Sequence, residues 1–232
     1  MLIASAISKQ FGPTQALRDA GFTARAGEVL GVIGPNGSGK STLLACAAGL
    51  VRADGGELTW DGRVVDDGSR HEAVLFMPDG IVPWADHRVH AVIATWRSLN
   101  GRTEAEARGR TRALSLDALL GRAVRELSKG ERKRLLIALA LLAAQPVLLL
   151  DEPFDGLDLR QRRDVAELLR AEAQKGRTIV LSLHQLADAP RVCDRLALLD
   201  RGRIVVEGTL NELRAQTRLP AGSVEELFLA LT

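Results

Sequence analysis

Gly34, Gly39, Lys40 and Ser41 satisfy the spacing GxxxxGK(S/T) inside the run GPNGSGKST, residues 34–42. Glycines let a backbone curl so that several N–H groups point at one anion. A helix that starts where the loop ends adds the positive end of its dipole. In such a loop Lys40 reaches terminal phosphates and Ser41 offers its hydroxyl to Mg²⁺. Pro35, Asn36, Gly37, Ser38 and Thr42 complete the expected nucleotide-binding run. Lys40 is expected to face solvent or ligand.

Three further groups stand where chemistry is needed. The apolar run 147–150 is followed by Asp151, Glu152 and Pro153. A carboxylate at the end of a buried strand stands at the sheet edge where ligands bind. There Asp151 would hold Mg²⁺ through water, and Glu152 would polarise an attacking water. His184 follows a second apolar run, 178–183, and could contact a γ-phosphate from that strand's end. Ser128, Lys129, Gly130 and Glu131 open a long helix with a serine cap and an acid in the first turn. Each group has a plain structural alternative: an acid pair capping a helix, a structural histidine, an ordinary N-cap. The phosphate loop in the same chain weighs against those alternatives.

Around these residues the elements alternate. Residues 29–33 form a compact apolar strand leading into the glycine loop, and 42–50 read as a helix. Residues 2–8 and 17–24 read as strands joined around Gly12-Pro13, and 57–60 and 63–65 as a hairpin around Asp61-Gly62. Another strand, 73–77, stops at Pro78. Val89, Val92, Ile93, Trp96 and Leu99 fall at helical spacing. Thr103 and Glu106 form a capping box for a helix that Gly109 weakens. The long helix from Ser128 precedes the strand 147–150. A helix over 159–174, strands over 178–183, 196–199 and 204–206, and short helices over 209–215 and 224–231 complete the chain. The alternation predicts an α/β fold with a mainly parallel sheet. The mostly helical stretch 79–127 reads as an inserted subdomain, with 1–78 and 128–232 as the core.

Composition narrows the classes. The 232 residues suit one domain, and 46% apolar residues suffice for a large core. A net charge of +2 does not point to nucleic acid. Cys46 and Cys193 are far apart and read as two buried thiols of a reducing compartment. The start MLIASAISKQ reads as no signal peptide. Residues 135–144 and 147–150 are apolar, but Gln145-Pro146 parts them and neither reaches the roughly 20 residues that span a bilayer. A buried helix followed by a buried strand is the expectation.

Taken together and in order, these residues resemble the ATP-binding cassette family, the nucleotide-binding subunits of membrane transporters. GPNGSGKST resembles the Walker A loop, LSKGE the signature motif and VLLLDEP the Walker B strand with its catalytic glutamate. FDGLD, ending at Asp158, resembles the D-loop, and LSLHQ carries a match to the switch histidine at His184. Phe11 falls where the family places an aromatic that stacks on adenine. The resemblance covers nearly the whole chain. It implies a P-loop NTPase core with an N-terminal antiparallel β subdomain and a helical subdomain, ATP and Mg²⁺ as cofactors, and Glu152, His184 and Lys40 as catalytic residues. It also implies a second cassette subunit, expected to be a second copy, meeting the first head to tail so that Ser128, Lys129, Gly130 and Glu131 contact the other's ATP. An integral-membrane permease is the other implied partner. Location is then cytoplasmic, peripheral on the inner face of the membrane, with no direct nucleic acid partner.

Two positions depart from the family pattern. Asp79 stands where the family usually has glutamine, and it could still reach Mg²⁺ or water. Lys129 replaces a glycine of the signature motif and adds a cation expected near the phosphates. The LSKG form, the GLD of the D-loop and the ending VEELFLALT are similar to ATPases of exporters with separate permease chains. The competing readings are a soluble cassette ATPase acting on nucleic acid or ribosomes, and a regulatory module that hardly hydrolyses ATP. The first usually carries two cassettes or long inserted arms; the second is motivated by Asp79.

Overall fold

The computed structural model describes residues 1–66 and 68–231, so Thr232, the last residue of the VEELFLALT ending, lies outside the described residues. In chain order the strands are β1 (Leu2–Phe11), β2 (Thr14–Ala24), β3 (Val29–Ile33), β4 (Gly55–Trp60), β5 (Arg63–Val64), β6 (Val74–Met77), β7 (Val147–Asp151), β8 (Thr178–Leu183), β9 (Arg195–Asp200) and β10 (Arg203–Gly208). The helices are α1 (Lys40–Ala47), α2 (Arg70–Ala73), α3 (Val89–Leu99), α4 (Glu104–Ala113), α5 (Lys129–Leu142), α6 (Leu159–Gln174), α7 (Ala189–Val192), α8 (Leu210–Thr217) and α9 (Val224–Leu231).

Two sheets result. One is antiparallel, in the order β2-β1-β4-β5. The other runs β10-β9-β3-β8-β7-β6, with every neighbouring pair parallel except β10 with β9. The apolar runs of β3 and of β7 up to Leu150 accord with burial on both faces. Val29 and Ile33 of β3 and Leu148 and Leu150 of β7 enter one core, with α5, α6, α3 and α4. Leu30, Val32, Val147 and Leu149 enter the other, with α1 and the antiparallel sheet.

Element ends differ from the sequence expectation where a local cause acts. The helix after the glycine loop starts at Lys40 and ends at Ala47, not over 42–50. Gly39, at φ 109°, takes the left-handed N-cap that launches it early. Residues 70–73 make the short helix α2, so β6 begins at Val74. Thr103 and Glu106 form the capping box at the start of α4.

α5 is the element most of the fold packs around, and from Leu135 to Leu142 every residue is buried. It ends without a glycine cap. Its last carbonyls are taken instead by side chains: Arg177 Nη1 donates to Leu141 O at 3.2 Å, and Arg102 Nε to Leu142 O at 3.1 Å. The indole of Trp96 on α3 donates to Leu139 O at 2.7 Å.

A buried carboxylate ties the helical stretch to the core. Glu172 on α6 accepts from Arg110 on α4 and from Lys175 at 2.8 Å, and pairs with Arg177 at 3.5 Å. Burial alone would raise its pKa, but these cations prevail and hold it below 4.5. A carboxyl whose folded pKa is depressed contributes stability above its unfolded value, lost as pH falls through the folded one. Glu172→Gln is therefore expected to cost about 3 kcal/mol at pH 7, because it leaves buried cations unpaired. The deficit against the parent chain should shrink as the pH of a urea titration falls below 4.5.

Candidate active site

Parallel register brings four loop ends to one edge. Ile33 pairs with Leu183, Leu150 with Leu181, and Met77 with Leu150. Gly34, His184, Glu152 and Asp79 therefore leave the sheet side by side. The glycine loop starts at once after β3, and its shape depends on missing side chains. A Cβ at Gly34 would lie 2.1 Å from Leu199 O, and one at Gly39 2.7 Å from Ala16 O. Gly37 and Gly39 both have positive φ.

The loop borders a cavity of about 400 Å³. Lys40, Ser41, Asp151, Glu152 and Asp79 line it, with Asn36, Gly37, Gly39 and Thr42 on the loop side and residues 14–16 on the other. Lys40, expected to face solvent or ligand, is 6% exposed and lines this cavity. Its ammonium donates to Gly34 O at 2.8 Å and Pro35 O at 3.1 Å. Burial lowers its pKa, opposed by Glu152, whose Oε1 lies 3.9 Å away, and by Asp151. Ser41 Oγ donates to Asp151 Oδ1 at 3.1 Å. Ser38 is buried and its hydroxyl has no protein partner.

Glu152 sits at φ 48°, a left-handed backbone unusual for this residue type. Two contacts hold it there. Its N–H donates to Ser182 Oγ at 2.9 Å, and its Oε2 accepts from the backbone N–H of His184 at 3.1 Å. Oε2 also contacts Nδ1 of His184, which as the N–H tautomer donates to it. Ser182 Oγ in turn donates to Asp151 Oδ1. One fully buried hydroxyl thus orients both acids. Sequence reasoning missed Ser182; the signal was a single hydroxyl inside the otherwise apolar end of β8.

The helix tip at Ser128 is elsewhere. Ser128, Lys129, Gly130 and Glu131 do not line this cavity. Ser128 Oγ accepts from the N–H of Glu131 at 3.3 Å, and Glu131 Oε2 accepts from the N–H of Ser128 at 2.7 Å. The backbone bond from Ser128 holds the Glu131 carboxyl below its usual range. Lys129 is not a loose cation there, because its ammonium lies 2.5 Å from Asp155 Oδ2. Asp158 caps α6, accepting from Gln161 N at 2.9 Å. Phe11 is 48% exposed at the tip of the β1–β2 hairpin, with Lys9 Nζ 5.3 Å from its ring centre. Asp79 is paired with Lys133, a second residue the sequence reading passed over.

The oxygen donors suit Mg²⁺, a hard ion usually held by one or two protein oxygens plus phosphates and water. Among the described residues no cluster of three or more His, Cys, Asp or Glu could hold a metal unaided. The orphaned Ser38 hydroxyl and the bare glycine backbone supply donors for an anion beside it.

Residues 17–155 match the ABC transporter family. A Nod factor export ATP-binding protein from Burkholderia lata is 33% identical, over 89% of this chain and 70% of the relative. A hemin import ATP-binding protein from Streptomyces coelicolor is 40% identical, over 83% and 72%. A solved ATP-binding subunit of an ABC transporter matches with a TM-score of 0.89 at 30% identity, covering 100% of this chain and 99% of that one. This chain belongs to the ABC transporter family and is an ATP-binding, ATPase subunit of it. Among the described residues no helix is long and apolar enough to cross a membrane.

Ser182→Ala removes the shared hydroxyl. The expected result is a folded protein about 1–3 kcal/mol less stable, with kcat for ATP down about tenfold and KM changed less. Steady-state kinetics beside a urea titration check it.

Proposed function

We propose that this chain energises a membrane exporter. Two copies meet head to tail, ATP binding closes them, and hydrolysis lets them part. The observation that carries this reading is the convergence of Lys40, Ser41, Asp151 and Glu152 on one cavity at the sheet edge.

Each residue has a part. Backbone amides from Gly34 to Thr42, with Pro35, Asn36, Gly37, Ser38 and Gly39 between, hold the phosphates. Lys40 turns from the loop carbonyls to the terminal phosphates. Ser41 and Asp151 are the residues that would hold Mg²⁺, which neutralises phosphate charge when bound. Glu152, aimed by His184, draws the proton of a water whose oxygen attacks the γ-phosphorus. The bond to ADP then breaks, and its electrons leave with ADP. Phe11 stacks on adenine. The helix tip at Ser128 of the second copy faces the same nucleotide, which is consistent with its distance from its own chain's cavity, and Asp158 orders the loop between. Residues 79–127 act as the subdomain that meets an integral-membrane permease on the inner, cytoplasmic face of the membrane. Export is supported by the LSKG signature and the VEELFLALT ending. A relative named for import is 40% identical, so the export reading rests on those motifs and not on overall identity.

Lys40→Ala is expected to fold and to weaken ATP binding on the order of 100-fold, about 2.7 kcal/mol; unchanged affinity in calorimetry would remove Lys40 from the site. Glu152→Gln is expected to cut hydrolysis on the order of 10²–10⁴-fold and to accumulate ATP-dependent dimers on a sizing column. Equal hydrolysis in both proteins would sink its role. Purification from membranes should bring down a polytopic protein; recovery of nucleic acid alone would reverse the reading.

A further inference from the structure

Lys133 lies one turn beyond Lys129 on α5, in the charged run 131–134 that precedes the buried apolar residues 135–142. Its side chain is 5% exposed, and its ammonium lies 2.5 Å from Asp79 Oδ1. It also borders a small void together with Pro78, Asp151 and Pro153, directly behind the acids of the site. A buried ammonium there is costly unless paired. Of the other nearby acids, Asp155 is engaged by Lys129, and Asp151 accepts from the Ser41 and Ser182 hydroxyls. Asp79 lines the nucleotide cavity on one side and meets Lys133 on the other.

We infer that Asp79 serves the site through Lys133: its carboxylate neutralises a buried ammonium beside the cation position and does not itself ligate the cation. Asp79 is then a positioning residue, and its departure from the family's usual glutamine is explained by its pairing with Lys133. The pair is neutral as a whole, so the field at Asp151 and Ser41 stays that of two acids and one Lys40. Removing the carboxylate alone would leave a second cation facing any metal bound there. The inference rests on the proposed nucleotide site.

The test uses the full chain with ADP as the probe, with and without Mg²⁺, by calorimetry. The readout is the ratio of the Kd without Mg²⁺ to the Kd with it. Asp79→Ala should lower that ratio about tenfold, because Lys133 now repels the cation. Asp79→Ala combined with Lys133→Met should restore it to within threefold of the parent, although no carboxylate remains. A ratio unchanged in Asp79→Ala overturns the inference, since Lys133 is then not felt. A ratio equally low in the double variant also overturns it and makes Asp79 a metal ligand. If Asp79→Ala does not fold, Lys133→Met alone reads the pair from the other side: a raised ratio is expected, and an unchanged or lowered one overturns the inference. Failure of the parent chain to bind ADP at all would instead sink the site.

Discussion

A parallel sheet delivers all its strand ends to one side, and here the register decides which ends become neighbours. β3, β8, β7 and β6 are aligned so that a glycine loop, a histidine and two acids emerge together. Nothing in the local sequence of any one strand brings these groups within reach of one another. The pairing holds because each strand is buried on both faces, with alternate residues committed to different cores. A slip of one residue would exchange those commitments along the whole strand.

The edge so formed concentrates charge in a place where water is scarce. Lys40 and Asp151 are both buried, and Glu152 nearly so. Each is tolerated because a neighbour answers it: loop carbonyls for Lys40, the Ser41 and Ser182 hydroxyls for Asp151, and two donors of His184 for Glu152. The protein thus holds acids and a cation close together in a form that phosphates can enter.

Much of this was legible in the residues. The glycine spacing located the loop, and the apolar run before Asp151 located the strand that carries the acids. The Thr103 capping box was readable because both partners lie within one turn. What escaped reading depends on distance along the chain. Ser182 acts on Asp151, 31 residues away, and Lys133 on Asp79, 54 away. A hydroxyl in a strand or a lysine in a helix says nothing by itself about which acid it meets. Lys40, expected to face solvent or ligand, lines the cavity while the carbonyls of its own loop hold its ammonium.

The rims of the two sheets leave little to build on. β5 is two residues long, and β6 is four and stops at Pro78. The long β2 is covered where Arg18 N–H donates to Gly202 O at 2.8 Å and Thr23 N–H to Glu207 Oε2 at 3.1 Å. The edges at β5 and β6 thus offer a foreign strand only short ladders. Short rims of this kind favour association through helix ends, loops and side-chain surfaces over strand addition.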